Sequence, residues 1–500
     1  MDRTHRAHRI AFALLRVAVA LVATSGAASA TTLELTACTL SGGTGIASVE
    51  ARCGWFERPE NPAEPEGRTI QLRVAVIDSL SPNPLPDAFT IINGGPGGSS
   101  LDLYADMAAT FGAIRRDRVI VILDQRGTGA SNPLDCEALE GIELEYSEAL
   151  VREATAACLA GLSGDPRFYT TSVAVQDLEA LRMALEYSAL NVYGVSYGTR
   201  VAQHYARRHT DAVRTLIIDG VAPPEVPLGP NAALNAQRTL DRLFDRCAED
   251  ARCNERFPDL ENKLATLDQR LSNEGPAVEI AHPITGERTE LELRRDHLLV
   301  TLRLLSYVPE TARLIPLIID EAVAENYVPL ATNALRIERQ LVGALRFGMH
   351  NAVICTEDIP FLGPLDRDAL EATYIGSEQA ESLITICENW PRGLMDADLR
   401  EPLTVAVPTL VLSGEEDPIT PPDYGTMAEA ALPVSLHLVG RGQGHGVVGR
   451  GCVPRLLTEF VDSADLDTLD TACMDRLSHA PFFLNLMGTV PAQATQGVSP

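Results

Sequence analysis

Ser196 has the sequence surroundings of a catalytic nucleophile. It is the central residue of Gly194–Gly198 (G-x-S-x-G), which follows the apolar stretch Leu190–Tyr193 and precedes Thr199–Arg208, whose composition favours a helix. A serine on a sharp strand-to-helix turn has a strained backbone, and the flanking glycines remove side chains that would clash there. The turn lifts the hydroxyl clear of the sheet and places the Tyr197 N–H at a helix N-terminus, where developing negative charge is stabilised. The pattern alone arises by chance in a chain of this length, but the strand before it and the helix after it favour a nucleophile.

A serine hydroxyl is a poor nucleophile until a histidine takes its proton and an acid orients that histidine. Of the ten histidines, His445 is favoured because it lies on the glycine-rich loop Gly442–Gly446, after the last predicted strand, Val434–Val439. The sequence therefore predicts His445 as the general base.

The orienting acid is expected after the strand that precedes the histidine strand. Three carboxylates follow that strand, and Asp417 is favoured because Pro418 fixes a turn just beyond it. Glu415 and Glu416 are the alternatives, and we expect them to be solvated turn residues. The resulting order, serine then aspartate then histidine, is that of the α/β-hydrolases.

Stabilising an oxyanion requires two backbone donors. The Tyr197 N–H is one, and the loop Asn93–Ser100, rich in glycine, is expected to supply the other. Pro96 has no N–H, so the predicted donor is Gly95 or Gly97. An ordinary tight turn is the alternative for this loop, but it needs fewer glycines.

The elements that must position these residues alternate between strands and helices. Strand–helix alternation predicts a parallel sheet with right-handed crossovers, in which ligand chemistry gathers at the carboxyl ends of the strands. The predicted elements are strands at Arg68–Ile77, Ala88–Ile92, Val119–Leu123, Val213–Ile218 and Val405–Ser413, with a helix at Val173–Glu186.

A long helical stretch interrupts this alternation. We predict a signal peptide at residues 1–30, the first part of the catalytic core at 31–224, a helical cap insertion at 225–402 and the second part of the core at 403–500. The helices expected in the cap are Ala232–Asp250, Asp259–Leu271, Arg295–Leu305, Thr311–Ala324 and Asn333–Phe347.

The N-terminus predicts export. A basic stretch, Arg3–Arg9, is followed by an apolar run around Val17–Ala23 and by Ala28–Ala30, which is the order of a secretory signal cleaved after Ala30. The run is short and closely bounded by Arg16, so no integral membrane anchor is expected. The mature protein is predicted to be periplasmic or extracellular.

Composition restricts the classes of partner and cofactor that the protein is expected to bind. A formal charge of −27 repels phosphate backbones, so nucleic acid and anionic membranes are not expected partners. Ten cysteines fit an oxidising compartment, and none has metal-binding spacing, so neither a metal nor another cofactor is expected. The simplest disulfide hypothesis joins neighbours in the chain: 38–53, 136–158, 247–253, 355–387 and 452–473.

Several segments together resemble the proline iminopeptidase group of α/β-hydrolases. Asn93–Ser100 is similar to that group's His-Gly-Gly-Pro-Gly loop, with Asn93 in place of the histidine, and Asp124–Gly129 resembles its Asp-Gln-Arg-Gly segment. Asp177–Arg182 followed by Gly194–Thr199 is similar to its nucleophile region.

Other segments resemble the secreted tripeptidyl aminopeptidase branch in particular: Ala352–Asp358, Cys387 with Trp390-Pro391, and the tail with Cys452 and Cys473. The resemblance, which runs from about residue 53 to residue 483, implies an α/β-hydrolase fold: a mostly parallel sheet flanked by helices, with a large inserted helical cap. It also implies a serine exopeptidase that removes residues from a free peptide N-terminus through an acyl-enzyme.

In the iminopeptidases, carboxylates of the cap hold the α-ammonium group of the substrate. Glu357 and Asp358 lie in the corresponding part of this chain, so the resemblance assigns them to amine binding; a solvated acidic loop beside a disulfide is the alternative. The cap is longer than in plain iminopeptidases, which leaves both single-residue and tripeptide release open.

The expectation is therefore a secreted serine aminopeptidase acting on a peptide or a small amide or ester with a free N-terminus. The runner-up is an esterase or small-amide hydrolase with the same triad, since both reactions pass through an acyl-enzyme. A non-catalytic binding protein on this fold is the third reading. The sequence leaves the oligomeric state open.

Overall fold

The computed structural model describes residues 33–42, 47–136, 147–273, 275–282, 285–341 and 343–489. The predicted signal peptide, residues 1–30, lies outside the described residues. Within them, no helix is long and apolar enough to cross a membrane.

One large sheet dominates the described part of the chain, with strands in the order β1-β2-β3-β5-β4-β6-β7-β10-β11. Neighbours from β5 to β11 pair in parallel, whereas β1, β2, β3 and β5 pair antiparallel. A separate hairpin joins β8 and β9. The strands are β1 (Thr36–Ser41), β2 (Ser48–Pro59), β3 (Thr69–Ile77), β4 (Ala88–Ile92), β5 (Ile120–Leu123), β6 (Leu190–Val195), β7 (Val213–Asp219), β8 (Ala277–Ala281), β9 (Arg288–Glu292), β10 (Thr409–Gly414) and β11 (Ser435–Gly440).

Several parallel strands are buried on both faces, which explains why they appear in the sequence as uninterrupted apolar runs. Every residue of β4, β5 and β10 is buried. Along β7, Leu216 and Ile218 pack into one core and Ile217 into the core on the opposite face, as the two-residue period of a strand requires.

Helices cover both faces of the sheet and fill the segment between β7 and β10. They are α1 (Ser100–Met107), α2 (Glu148–Gly161), α3 (Thr171–Ala184), α4 (Tyr197–Arg208), α5 (Ala232–Glu249), α6 (Ala251–Arg256), α7 (Leu260–Asn273), α8 (Arg295–Leu305), α9 (Pro309–Ala312), α10 (Ile315–Val323), α11 (Val328–Leu341), α12 (Phe347–Val353), α13 (Arg367–Glu371), α14 (Glu378–Cys387), α15 (Pro422–Ala431) and α16 (Val453–Ser463).

Two predicted helices differ from the structure. The stretch Thr311–Ala324 is divided between α9 and α10, and Pro316 lies in the first turn of α10, where its missing N–H costs nothing. The stretch Asn333–Phe347 belongs to α11, which ends at Leu341, and a new helix begins at Phe347.

The helical segment enters between two adjacent strands. β7 and β10 pair in parallel, with Leu216 opposite Thr409, although the whole of α5–α14 lies between them in sequence. That segment builds a core of its own, which includes Leu243, Leu302 and Ile318. Helices α5–α14 all fall within the predicted cap, residues 225–402, whose exact limits stay a prediction.

Five disulfide bonds confirm the pairing of neighbouring cysteines. They join Cys38 to Cys53, Cys136 to Cys158, Cys247 to Cys253, Cys355 to Cys387 and Cys452 to Cys473. The first of them joins β1 to β2, two strands for which the sequence pattern gave no signal.

Replacing a side chain at the centre of the sheet should destabilise the fold strongly. Leu216 on β7 is fully buried, so Leu216→Ala is expected to lower the free energy of unfolding by about 2–5 kcal/mol. Leu80, which is 65% exposed, supplies the control: Leu80→Ala should change it by less than about 0.5 kcal/mol. Denaturant unfolding under oxidising conditions measures both, and equal effects would contradict the core assignment.

Candidate active site

The backbone of Ser196 is strained in the way the sequence predicts. Ser196 follows β6, a central strand, and has φ 56° and ψ −130°, a region sparsely populated by residues other than glycine. Helix α4 begins at the next residue, Tyr197. The Ser196 N–H donates to the Asp219 carbonyl at 3.0 Å, which fixes the turn to the end of β7.

His445 and Asp417 are in direct contact. His445 Nδ1 lies 2.8 Å from Asp417 Oδ2, and the Asp417 side chain is fully buried. The remaining capacity of this carboxylate is filled by the N–H groups of Ile419 and Thr420, each 2.9 Å from Oδ1. With Nδ1–H directed at Asp417, Nε2 is the ring nitrogen free to accept a proton.

Three further residues hold the His445 ring and its backbone. Thr420 Oγ1 donates to Asp417 Oδ2 at 2.8 Å and lies 3.1 Å from His445 Nδ1. The Tyr307 ring packs edge-on against the imidazole, with 5.4 Å between the ring centroids. The Tyr307 carbonyl accepts the His445 N–H at 2.7 Å. Gly220 adopts φ +64°, and a Cβ at this position would come within 3.2 Å of His445 Cε1. The imidazole is therefore held on several sides.

The electrostatics around His445 favour its charged form. Burial lowers the pKa of His445, but the carboxylates of Asp417 and Asp219 more than offset it, so the pKa lies above the ordinary value. A histidine of raised pKa stays protonated to higher pH. The neutral imidazole, which is the form that can accept a proton, therefore predominates only at a pH above the ordinary pKa of histidine.

Glu415 and Glu416, the alternative acids, are engaged elsewhere. Glu415 accepts the Gly442 N–H at 2.8 Å, and Glu416 lies 2.9 Å from His479 Nε2. Of the three carboxylates after β10, the structure brings Asp417 to His445.

Asn93 organises the glycine-rich loop that follows β4. Its side chain accepts the Gly94 N–H at 2.7 Å and donates to the Ser99 carbonyl at 2.9 Å. Because Gly94 N–H is used in this way, Gly95 and Gly97 are the glycines left to donate to an oxyanion. Asn93 thus holds the loop, and it occupies the position at which the proline iminopeptidase group has histidine.

The inserted helical segment contacts the same loop. The Arg346 N–H donates to the Gly97 carbonyl at 3.2 Å, and His350 Nδ1 lies 3.3 Å from the Pro96 carbonyl. Burial lowers the pKa of His350 to about 4, so its ring is neutral near pH 7 and Nδ1–H can donate. The Arg346 guanidinium also binds Asp135 at 2.7 Å.

Asp124 and Arg126 belong to the Asp-Gln-Arg-Gly segment that follows β5, and both are buried. Asp124 accepts from Ser99 Oγ at 2.9 Å and from the Leu101 N–H at 3.0 Å, and burial raises its pKa to about 6. Arg126 forms a buried ion pair with Asp177, with Nε 2.7 Å from Oδ2. Asp124 therefore supports the end of the glycine loop, whereas Arg126 ties its segment to α3.

The structure places Glu357 and Asp358 in a buried network with helices α3 and α4. Glu357 accepts from the Thr171 N–H at 2.7 Å and from Thr171 Oγ1 at 2.8 Å. Asp358 binds Arg200 Nη1 at 2.9 Å, and Arg400 lies 3.8 Å from the same carboxylate. Both acidic side chains are 0% exposed. The guanidinium groups of Arg200 and Arg400 lie beside these two carboxylates and balance their charge.

Sequence reasoning missed several residues of this site. Thr420 had a readable signal, because an aspartate commonly accepts from backbone N–H groups two and three residues later, as Asp417 does. Tyr307 and Asp219 had none, since they come from distant parts of the chain and meet His445 only through the fold.

Two family models match the chain. One, described as the alpha/beta hydrolase fold, matches residues 87–310. The other, described as TAP-like protein, matches residues 372–473. Together they span more than half of the chain. The first includes Ser196, and the second includes Asp417 and His445.

Curated relatives are similar over parts of the chain. A tripeptidyl aminopeptidase of Streptomyces lividans is 31% identical over 191 residues, 35% of this chain and 36% of that protein. The putative hydrolase YuaR of Escherichia coli is 25% identical over 407 residues, 75% of this chain and 78% of that protein. The serine protease Hip1 of Mycobacterium tuberculosis is 27% identical over 225 residues, 41% of this chain and 42% of that protein. The chain thus spans about a third of the length of the aminopeptidase it matches.

A methyl group on Gly94 should disturb the nucleophile without unfolding the protein. A Cβ at Gly94 would lie 2.6 Å from Ser196 Cβ and 2.9 Å from the Val195 carbonyl. Since small displacements of reacting groups cost up to about 100-fold, Gly94→Ala should lower kcat toward a chromogenic ester by roughly that factor. Gly161→Ala is the control, because a Cβ there has no neighbour within 4 Å. Full activity of Gly94→Ala would contradict the position given to Ser196.

Proposed function

We propose that this serine hydrolase, whose sequence matches models described as alpha/beta hydrolase fold and TAP-like protein, is a secreted aminopeptidase. Its substrate is a peptide with a free N-terminus, and its reaction passes through an acyl-enzyme. The observation that carries the proposal is the 2.8 Å contact between His445 and Asp417, at the same edge of the sheet as the strained Ser196.

In the proposed mechanism, His445 Nε2 takes the proton of the Ser196 hydroxyl as the oxygen attacks the scissile carbonyl. Asp417 holds the imidazole in orientation and stabilises the imidazolium that forms. The N–H of Tyr197 and that of Gly95 or Gly97 bind the oxyanion. His445 then gives its proton to the leaving amine. Water next attacks the acyl-enzyme while His445 Nε2 takes its proton, and His445 returns that proton to the Ser196 oxygen as the carboxylic acid leaves.

Peptide cleavage is favoured over ester cleavage by the names of the relatives, which include an aminopeptidase and a serine protease. The triad itself does not separate the two reactions, since both pass through an acyl-enzyme. An esterase with the same three residues is therefore the second candidate.

Export is part of the proposal. Five disulfide bonds are stable in an oxidising compartment, and they agree with the signal peptide expected at residues 1–30. The large negative charge is compatible with either the periplasm or the medium.

Of the two predicted amine-binding residues, we propose Glu357 for that role, because Arg200 is hydrogen-bonded to Asp358 at 2.9 Å but lies 3.9 Å from Glu357. Thr171 Oγ1 links Glu357 to Tyr197 Oη at 2.7 Å, and Tyr197 is the residue that follows the nucleophile. Burial raises the pKa of Glu357 to about 7. A substrate ammonium that replaces the contact with Thr171 would favour the ionised carboxylate and be held by it.

The Ser196→Ala variant should lose activity by about 10⁴-fold or more on mono-, di- and tripeptide amides with free N-termini. Wild-type enzyme should cleave these substrates and lose most of its activity when they are N-acetylated. Ser463→Ala, at the exposed end of α16, is the control and should match wild type. Equal cleavage of free and acetylated substrates would favour the esterase, and an active Ser196→Ala variant would refute the nucleophile.

The Glu357→Gln variant should raise KM for substrates with a free amine by roughly 10- to 100-fold, because it removes a charged partner of the ammonium. KM for an N-acetylated ester should not change. Glu60→Gln is the matched control: this glutamate is also buried and accepts a hydrogen bond from Tyr169 at 2.9 Å. An equal change for free and acetylated substrates would show that Glu357 serves only the packing of the cap.

A further inference from the structure

Asp219, the last residue of β7, is a fully buried carboxylate close to the catalytic histidine. It accepts from the Val447 N–H at 2.9 and 3.0 Å and from the Val448 N–H at 2.9 Å. Tyr193 Oη donates a further hydrogen bond at 3.0 Å. All these donors are neutral, so Asp219 differs from the buried acids of the chain that pair with an arginine.

The two valines belong to the loop that carries the base. His445 is followed by Gly446, whose φ of +80° turns the chain so that the next two N–H groups face Asp219. The loop is thus held downstream of His445 by Asp219 and at His445 itself by the Tyr307 carbonyl, which accepts the His445 N–H. Asp417 holds the imidazole itself.

The backbone of Asp219 acts on the other reacting residue. Its carbonyl accepts the Ser196 N–H at 3.0 Å, at the point where β6 ends and α4 begins. A Cβ on Gly446 would lie 3.8 Å from Val195 Cγ2 and 4.0 Å from Asp219 Oδ2, so the histidine loop rests directly on the end of β6. One residue therefore bonds to both the nucleophile turn and the base loop.

We propose that Asp219 is a positioning residue that sets the distance between Ser196 and His445, through its carbonyl on one side and its carboxylate on the other. The inference rests on the proposed function, since it assigns Asp219 to the same Ser196–His445 pair.

The negative charge of Asp219 also serves the base. A buried carboxylate without a cationic partner is costly, and here its field acts on the imidazolium that forms during the reaction. The charged and titratable groups that face His445 are the carboxylates of Asp417, after β10, and Asp219, on β7. The phenol of Tyr307, beyond α8, faces the ring, and that of Tyr193, on β6, donates to Asp219.

Replacing the carboxylate by an amide should disturb both geometry and charge. In Asp219→Asn one acceptor oxygen becomes an NH₂ group, which cannot accept from the valine N–H groups. We expect the plateau rate of covalent labelling by a fluorophosphonate to fall by roughly 10- to 100-fold. We expect the pH midpoint of that rate to move down by roughly 0.5–1 unit, because the loss of a nearby negative charge lowers the pKa of His445.

The matched control is Asp87→Asn, which removes another buried carboxylate. Asp87 precedes β4 at the opposite edge of the sheet and binds Arg118 at 2.7 Å and Asn191 at 2.6 Å. We expect it to lower stability but leave the labelling rate and its pH midpoint unchanged. Circular dichroism and thermal unfolding verify that each variant is folded at the assay temperature.

The possible outcomes distinguish a failure of the inference about Asp219 from a failure of the proposed function. A lower plateau with a lower midpoint in Asp219→Asn, and neither in Asp87→Asn, supports the inference. An unchanged plateau and midpoint in folded Asp219→Asn, or the same change in both variants, overturns it. A wild-type protein that is never labelled fails the proposed function instead.

If Asp219→Asn does not fold, Tyr193→Phe takes its place. It keeps the carboxylate and removes one donor, so the plateau rate should fall by roughly 2- to 10-fold. An unchanged rate in Tyr193→Phe would also overturn the inference.

Discussion

The strained turn at Ser196 is the constraint around which the described structure is arranged. Holding a serine at φ 56° costs on the order of 1–3 kcal/mol, and the conformation persists only where its neighbours leave no alternative. Here β6 lies between β4 and β7 in the middle of the sheet, the Asp219 carbonyl takes the serine N–H, and Gly94 packs against the serine side chain. The energy is supplied by a core that buries both faces of the sheet.

The same sheet brings distant parts of the chain together. The glycine loop after β4, the turn after β6, the aspartate after β10 and the histidine after β11 meet because parallel strands end at one edge. The inserted helical segment adds two hydrogen bonds. The Tyr307 carbonyl accepts the His445 N–H, and the Arg346 N–H donates to the Gly97 carbonyl. The inserted helical segment therefore helps to position the groups proposed for catalysis.

Much of this arrangement could be predicted from the sequence, for identifiable reasons. Strands buried on both faces read as apolar runs, and the strand order then placed Asp417 and His445 relative to Ser196. The edge strand β1 and its neighbour β2 were not predicted, because strands with many exposed residues leave a weak pattern. The roles of Asp219 and Tyr307 depend on backbone groups meeting in space, which composition and spacing do not encode. For Glu357 and Asp358 the sequence placed the carboxylates in the cap but not their partners, Thr171 and Arg200.

The central claim is that Ser196 is a nucleophile activated by His445. The most direct measurement is mass spectrometry of the intact and digested protein after reaction with a fluorophosphonate. The account predicts one adduct per chain, located on the peptide that contains Ser196, and no adduct after His445 is replaced by alanine. Labelling of a different residue, or an adduct on Ser196 that forms equally fast without His445, would contradict it.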